Sequence, residues 1–285
     1  MAWSPHTSPA QAAPSGWDCH VHVFDAAAPV RPGHYQPAHH PLAEIERTAA
    51  AMAVGHLVLV QPSVYGSDNR VLLQALWASG GRHRGVAVVD ADISDAALDQ
   101  LHAAGVRGIR FNRVSPAGHQ GDAAAEVRAL APKLRARGWH VQWYVAATEL
   151  QHLPALQRET GLTFVLDHLA SVHAALAPAS PLWGALQALA DAGAWVKLSG
   201  WYRQGGQAPY ASLHAQVQRL AALFGAHTVW GSDWPHTSVD PHAVPDYAAT
   251  LAPVADALGA QAANDILRQH AARLYDFQLT EETLP

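Results

Sequence analysis

Two histidines stand two residues apart in the apolar run GWDCHVHVFD, at His20 and His22. In a strand, residues at that spacing share a face, so both imidazoles project together while Cys19 and Val21 turn the other way. A lone strand histidine is usually a satisfied structural residue; a pair aimed at one point can grip a metal or polarise one oxygen. Further along, VLDHLA supplies Asp167 and His168, and VWGSDWPH supplies Asp233 and His236. His20, His22, His168 and Asp233 together offer three imidazoles and a carboxylate. That set can hold a single zinc ion with an open position, or perform acid–base and oxyanion chemistry without one.

Such residues must be brought together by a regular scaffold. Eight β-rich runs recur along the chain: WDCHVHV, HLVLV, RGVAVV, VRGIRF, HVQWYV, TFVLD, WVKLS and TVW. Helical patterns lie between them, among them DAALDQLHAA, AAEVRALAPKLRAR, ATELQHLPALQRET and YASLHAQVQRLAALF. The third opens with Thr148 and Gln151 at capping-box spacing. Each return from helix to strand carries glycine, at Gly55, Gly80 with Gly81, Gly105, Gly138, Gly161, Gly193 and Gly225, where a left-handed residue would end the helix. Eight strand–helix units predict an α/β protein, a (β/α)8 TIM barrel over 17–285 preceded by a loose tail over 1–16. The last helix is DYAATLAPVADAL or ANDILRQHAARLY. An open doubly wound sheet is the competing topology, but no glycine-rich phosphate turn follows the first strand.

In a barrel the chemistry gathers at the carboxyl ends of the strands. Those ends present His20 and His22, then Gln61 and Ser63, Asp90 and Asp92, Arg110 and Asn112, Gln142 and Tyr144, Asp167 and His168. The seventh gives Lys197, Ser199, Tyr202 and Arg203, and the eighth runs into Asp233 and His236. DCHVHVFD, LVLVQPSVYGSDN, RGIRFN, VLDHLA, KLSGWYR and VWGSDWPH, in this order, resemble the amidohydrolase superfamily. Within it they are similar to the amidohydrolase-2 branch, which holds 2-pyrone-4,6-dicarboxylate lactonases and related lactone hydrolases and isomerases.

The resemblance implies a hydrolase that opens a small carboxylated lactone. Asp233 would act as general base on water, with His20, His22 and His168 polarising the carbonyl. It also implies work without a divalent metal; a single zinc on His20, His22, His168 and Asp233 is the alternative. A binuclear site is not expected, because strand four ends in RFN without lysine and His140 lies at the wrong end of strand five. Arg110 and Arg203 are expected to bind carboxylate, and Ser63, Gln61, Tyr144 and Tyr202 to read hydroxyls. Pro116 and Ser171 stand where the lactonases carry basic residues, so a substrate with fewer carboxylates is expected. An aldarolactone isomerase, a metal-dependent decarboxylase and a non-catalytic acid-binding barrel remain alternatives.

Composition excludes other classes. With 18 Lys and Arg against 23 Asp and Glu, the formal charge is −5, and no basic run offers a surface to nucleic acid. No apolar stretch approaches the roughly 20 residues of a membrane helix. The first sixteen residues lack the basic start and apolar centre of a signal peptide, and one cysteine cannot form an internal disulfide. A cytoplasmic enzyme acting on a small molecule is the expectation.

Overall fold

The computed structural model describes residues 16–32, 35–237 and 239–275. Strands β1 Gly16–Val21, β2 Val54–Val60, β3 Arg84–Ala87, β4 Val106–Asn112, β5 His140–Tyr144, β6 Phe164–Leu166, β7 Trp195–Leu198 and β8 Thr228–Trp230 form one sheet in sequence order. Every neighbouring pair is parallel. Val21 pairs in parallel with Trp234, just past β8, and closes the sheet into a (β/α)8 TIM barrel. The tail expected over 1–16 lies outside the described residues except for Gly16, which begins β1.

Alternation along the strands sorts the apolar residues into two cores. Leu57, Leu59, Ile109, Phe111, Val141, Trp143, Val196 and Leu198 pack in the shell beneath the helices. Val58, Val60, Val86, Val165 and Val229 fill the barrel interior. β1 breaks the alternation. Asp18 lies opposite Leu57 and Val21 opposite Leu59, so three steps along β1 answer two along β2. This β-bulge re-aims the chain. Cys19 joins the interior core with Trp17, Val21 and Val23 join the outer shell, and His20 and His22 also point inward. The expectation that Cys19 turns away from the histidines is thereby corrected.

The helices depart from the sequence pattern in two places. The segment expected as one helix over 147–160 is split into Ala147–Leu150 and Leu153–Thr160, the second with Pro154 in its first turn. Proline lacks the N–H an interior turn needs and is tolerated where a helix starts. No side chain caps the first piece, so the Thr148 and Gln151 capping box does not form. At six returns a glycine takes positive φ, as expected; at the first, Gly55 lies within β2 and Ala53 adopts φ 54° instead. Of the two segments offered for the last helix, the later one, through Ile266–His270, packs on β1 and β8.

The closing seam runs through the residues of interest. The Asp233 N–H donates to the His20 carbonyl at 2.9 Å, and the His22 N–H donates to the Trp234 carbonyl at 2.8 Å. Asp18 Oδ1 braces the bulge by accepting the N–H groups of His20 at 3.1 Å and Ser232 at 2.9 Å. Gly231 allows this approach, since a Cβ there would lie 2.6 Å from His20 Cβ and 2.9 Å from its backbone nitrogen. Gly231→Ala is therefore expected to cost about 1–3 kcal/mol by overpacking. Denaturant unfolding checks this, and an unchanged midpoint would mean that the seam tolerates separation.

Candidate active site

At the carboxyl ends of the strands lies a cavity of about 200 Å³, lined by His22, Ser63, Arg110, Asn112, Tyr144, His168 and Arg203 among others. Among the described residues no carboxylate lines it. His20 and Asp233 sit just behind this wall, both fully buried. The His20 ring centre is 5.0 Å from that of His22 and 4.7 Å from that of His168. Asp233 Oδ1 lies 3.9 Å from His20 Nε2 and 3.8 Å from His22 Nε2. The four expected catalytic side chains thus converge, with His22 and His168 facing the cavity and the other two one layer deeper.

Each group is held by a specific partner. Asp233, at φ 65°, spends Oδ2 on the Tyr202 hydroxyl at 2.5 Å and on Arg203 Nε at 2.6 Å. Its Oδ1 has no hydrogen-bond partner among the described residues, and neither has His20 Nε2. Burial alone would raise the Asp233 carboxyl, but Arg203 beside it, with the imidazoles around it, holds it well below the usual carboxylate range. His168 begins a run of four left-handed residues through Leu169, Ala170 and Ser171. Such non-glycine backbone is costly and concentrates where geometry serves a site.

Burial, with Arg110 nearby, pushes His22 down to about 4, and burial pushes His168 down to about 3, so both are neutral near pH 7. His22 Nδ1 lies 2.8 Å from the Val60 carbonyl, which can only accept. The His22 hydrogen is therefore on Nδ1, and Nε2 presents a lone pair toward Asp233. This corrects the expectation that all three imidazoles donate to a carbonyl: neutral His22 cannot. His168 Nδ1 meets the Ser199 hydroxyl at 3.1 Å, which can serve either tautomer.

Beneath these groups is a charged layer in which the sequence reading gave a role to Arg110 alone. Asp167 Oδ2 accepts from Arg110 Nε at 2.9 Å and from Gln142 Nε2 at 3.0 Å. Lys197, fully buried, donates from Nζ to Gln142 Oε1 at 2.7 Å and to the Cys19 carbonyl at 2.9 Å, with His20 Nδ1 at 3.4 Å. Burial would raise Asp167, but the cations around it keep it well below its ordinary range. Lysine inside the strand WVKLS, in register with the interior, was the visible signal for this layer.

The expected binding residues divide. Arg110, Ser63, Tyr144 and Arg203 line the cavity, and Ser63 Oγ also accepts from Asn112 Nδ2 at 2.8 Å. Gln61 does not. It is fully buried, and its amide donates to the carbonyls of Gly66 at 3.0 Å and Asp68 at 2.8 Å, shaping the loop after β2. The Tyr202 hydroxyl is spent on Asp233 instead of a substrate hydroxyl. Asp90 and Asp92 are exposed. His236 lines a larger neighbouring cavity of about 750 Å³ with Trp234 and Tyr247. Burial pushes the Cys19 thiol far up, which fits packing and not nucleophilic attack.

One atom each of His20, His168 and Asp233 lie within 4.8 Å of one another. By donor type they form a set that could hold a single zinc ion, and His20 Nε2 and Asp233 Oδ1 have no hydrogen-bond partner among the described residues; His22, expected in that set, is not part of this group. On strand β5, Tyr144 lines the cavity, Gln142 lies in the buried network with Asp167 and Lys197, and His140 stands at the opposite end of the strand, its ring centre 5.5 Å from that of Tyr275.

The amidohydrolase family model matches residues 17–277. The chain is similar to a 2-pyrone-4,6-dicarboxylate hydrolase of Comamonas testosteroni, 32% identical over 245 residues that cover 80% of this chain and 79% of that protein. A 4-sulfomuconolactone hydrolase of Rhizobium radiobacter is 29% identical over 245 residues, covering 82% and 81%. A solved structure from Pseudomonas putida, assigned as a 2-pyrone-4,6-dicarboxylic acid hydrolase, superposes with a TM-score of 0.83 at 32% identity, covering 94% of this chain and 99% of that one.

The buried imidazoles make stability depend on pH. An unfolded histidine takes a proton below about pH 6.5, whereas His22 and His236 stay neutral to about 4, and His140 and His168 to about 3. Below pH 6.5 the unfolded chain therefore binds more protons, and stability falls as pH falls. The depressed carboxyls of Asp167 and Asp233 act in the same direction, below the usual carboxylate range. Asp18, raised by burial to about 6, opposes them. Denaturant unfolding should show a loss of several kcal/mol, in order of magnitude, between pH 7 and pH 4; constant stability over that window would mean that these histidines titrate normally.

Proposed function

The chain belongs to the amidohydrolase family, and from that premise we propose that it hydrolyses a small carboxylated lactone by metal-independent attack of water on the ring carbonyl. The observation that carries the reading is the unpartnered Asp233 Oδ1 facing the lone pair of His22 Nε2 at 3.8 Å. Two acceptors at that separation can take both hydrogens of one water and direct its own lone pair outward. Asp233 removes a proton as the oxygen bonds to the carbonyl carbon, and the acyl–oxygen bond then breaks. The same proton goes to the departing ring oxygen, so the lactone and water become a hydroxy acid or its tautomer.

Arg110 and Arg203, on a cavity wall without carboxylates among the described residues, favour an anionic substrate. Only these two arginines line the described cavity, and Pro116 is also part of its wall. This suits a lactone with fewer carboxylates than a pyrone dicarboxylate, and the volume of about 200 Å³ suits one small ring. A zinc ion held by His20, His168 and Asp233 would supply Lewis-acid polarisation and a more acidic water; the steps above use the side chains alone.

Purified protein, analysed for metal, should convert carboxylated lactones to ring-opened acids followed by NMR. A relocated ring would indicate isomerisation instead, and released carbon dioxide decarboxylation. Asp233→Asn should lower kcat by at least about 10²-fold, with substrate still bound. Because Asp233 is held ionised, the wild-type kcat/KM should be flat from neutral pH down to about 5 and fall as His22 protonates near 4. Exhaustive chelation should leave activity intact. A wild-type kcat in Asp233→Asn, or activity lost to chelator and restored by zinc, would contradict the proposal.

A further inference from the structure

We propose that Lys197 is a positioning residue that holds His20 as the tautomer protonated on Nε2, so that the two imidazoles of β1 present opposite polarities, a hydrogen from His20 and a lone pair from His22. The inference rests on the lactone-hydrolase reading for its consequence, but not for its geometry.

The groups around His20 Nδ1 constrain where its hydrogen sits. An ammonium has three hydrogens to place. Two of those on Lys197 go to the Cys19 carbonyl at 2.9 Å and to Gln142 Oε1 at 2.7 Å. The orientation of the Gln142 amide is fixed, because its nitrogen donates to Asp167 Oδ2 at 3.0 Å. Lys197 Nζ lies 3.4 Å from His20 Nδ1, which leaves the third hydrogen able to go there. A hydrogen on Nδ1 would instead point one donor at another. Asp167 Oδ1, at 3.3 Å from the same nitrogen, is the rival acceptor, but it makes no aligned hydrogen bond. It lies 3.6 Å from Lys197 Nζ and favours the charged ammonium there.

With Nδ1 accepting, the single hydrogen of neutral His20 sits on Nε2, on the side of Asp233 Oδ1 and His168. There it can donate to a carbonyl oxygen that gains charge as water adds. His22, locked the other way by the Val60 carbonyl, can only accept. The pair therefore divides the work between oxyanion and water. The same lock opposes a metal on His20, because ligation needs the Nε2 lone pair and would force a hydrogen onto Nδ1 against Lys197.

The tautomer can be read in the resting, substrate-free wild type by 15N NMR with labelled histidine and lysine, the His20 signals being assigned by their loss in His20→Gln. The expected result is a bare Nδ1 and a protonated Nε2 on His20, beside a Lys197 resonance with three hydrogens. Protonated Nδ1, or Lys197 as a neutral amine that accepts from it, would overturn the proposal. Lys197→Met should move the His20 hydrogen to Nδ1, toward Asp167, and tighten zinc binding measured by titration by about 10-fold or more. An unchanged tautomer would remove Lys197 from the role. Neither readout involves turnover, so a correct tautomer in a protein that opens no lactone would sink the functional reading and leave this one standing.

Discussion

The barrel closes on the residues that would do the chemistry. Where β8 runs out, the Asp233 N–H reaches the His20 carbonyl and the His22 N–H reaches the Trp234 carbonyl, and these two bonds are part of the last seam in the sheet. Placement of these side chains is therefore a property of the backbone ladder. Rotamer choice alone does not set it. The β1 bulge makes this workable: by adding one residue it brings both imidazoles inward beside a cysteine that already faces the interior. Asp18 fastens the bulge to Ser232 just past β8, and Gly231 clears the space. A looser seam would move His20, His22 and Asp233 relative to one another, and displacements on the order of 1 Å are costly for catalysis.

Beneath the seam, charge takes the place of apolar packing. Arg110, Asp167, Gln142 and Lys197 join four successive positions around the barrel from β4 to β7 in one buried network. Buried ions are expensive unless each is paired and hydrogen-bonded. The network meets that condition for most of its atoms and uses its remaining hydrogen to orient His20. On the other side of the site, Tyr202 and Arg203 occupy one oxygen of Asp233 and leave the other without a partner among the described residues. Orientation is gained at some expense of basicity, since the cation that fixes the carboxylate also weakens it as a proton acceptor.

Much of this was legible in the sequence, because strand alternation and left-handed helix ends are local. The eight runs located β1 to β8 closely, and the strand ends named the four side chains that converge at the mouth as well as Arg110, Tyr144, Ser63 and Arg203 on the cavity wall. What failed depended on partners across the barrel. Gln61 had the right face but its amide was committed to the loop that follows it, and Tyr202 stood at the mouth with its hydroxyl committed to Asp233. The bulge was hidden because an extra residue is an extra residue only relative to β2. Ala53 carried a turn assigned to Gly55, since the strand began two residues earlier than its β-branched core suggested. Lys197 was visible as a buried lysine, but its effect on His20 comes from a contact 177 positions away in the chain.

The claim that Asp233 directs water to an acyl carbon has a direct isotopic test. Turnover of a carboxylated lactone in 18O-labelled water should place one labelled oxygen in the newly formed carboxylate and none in the hydroxyl released from the ring. Product that carries no label, or label in the released hydroxyl, would contradict hydrolysis at the carbonyl and with it the role assigned to Asp233.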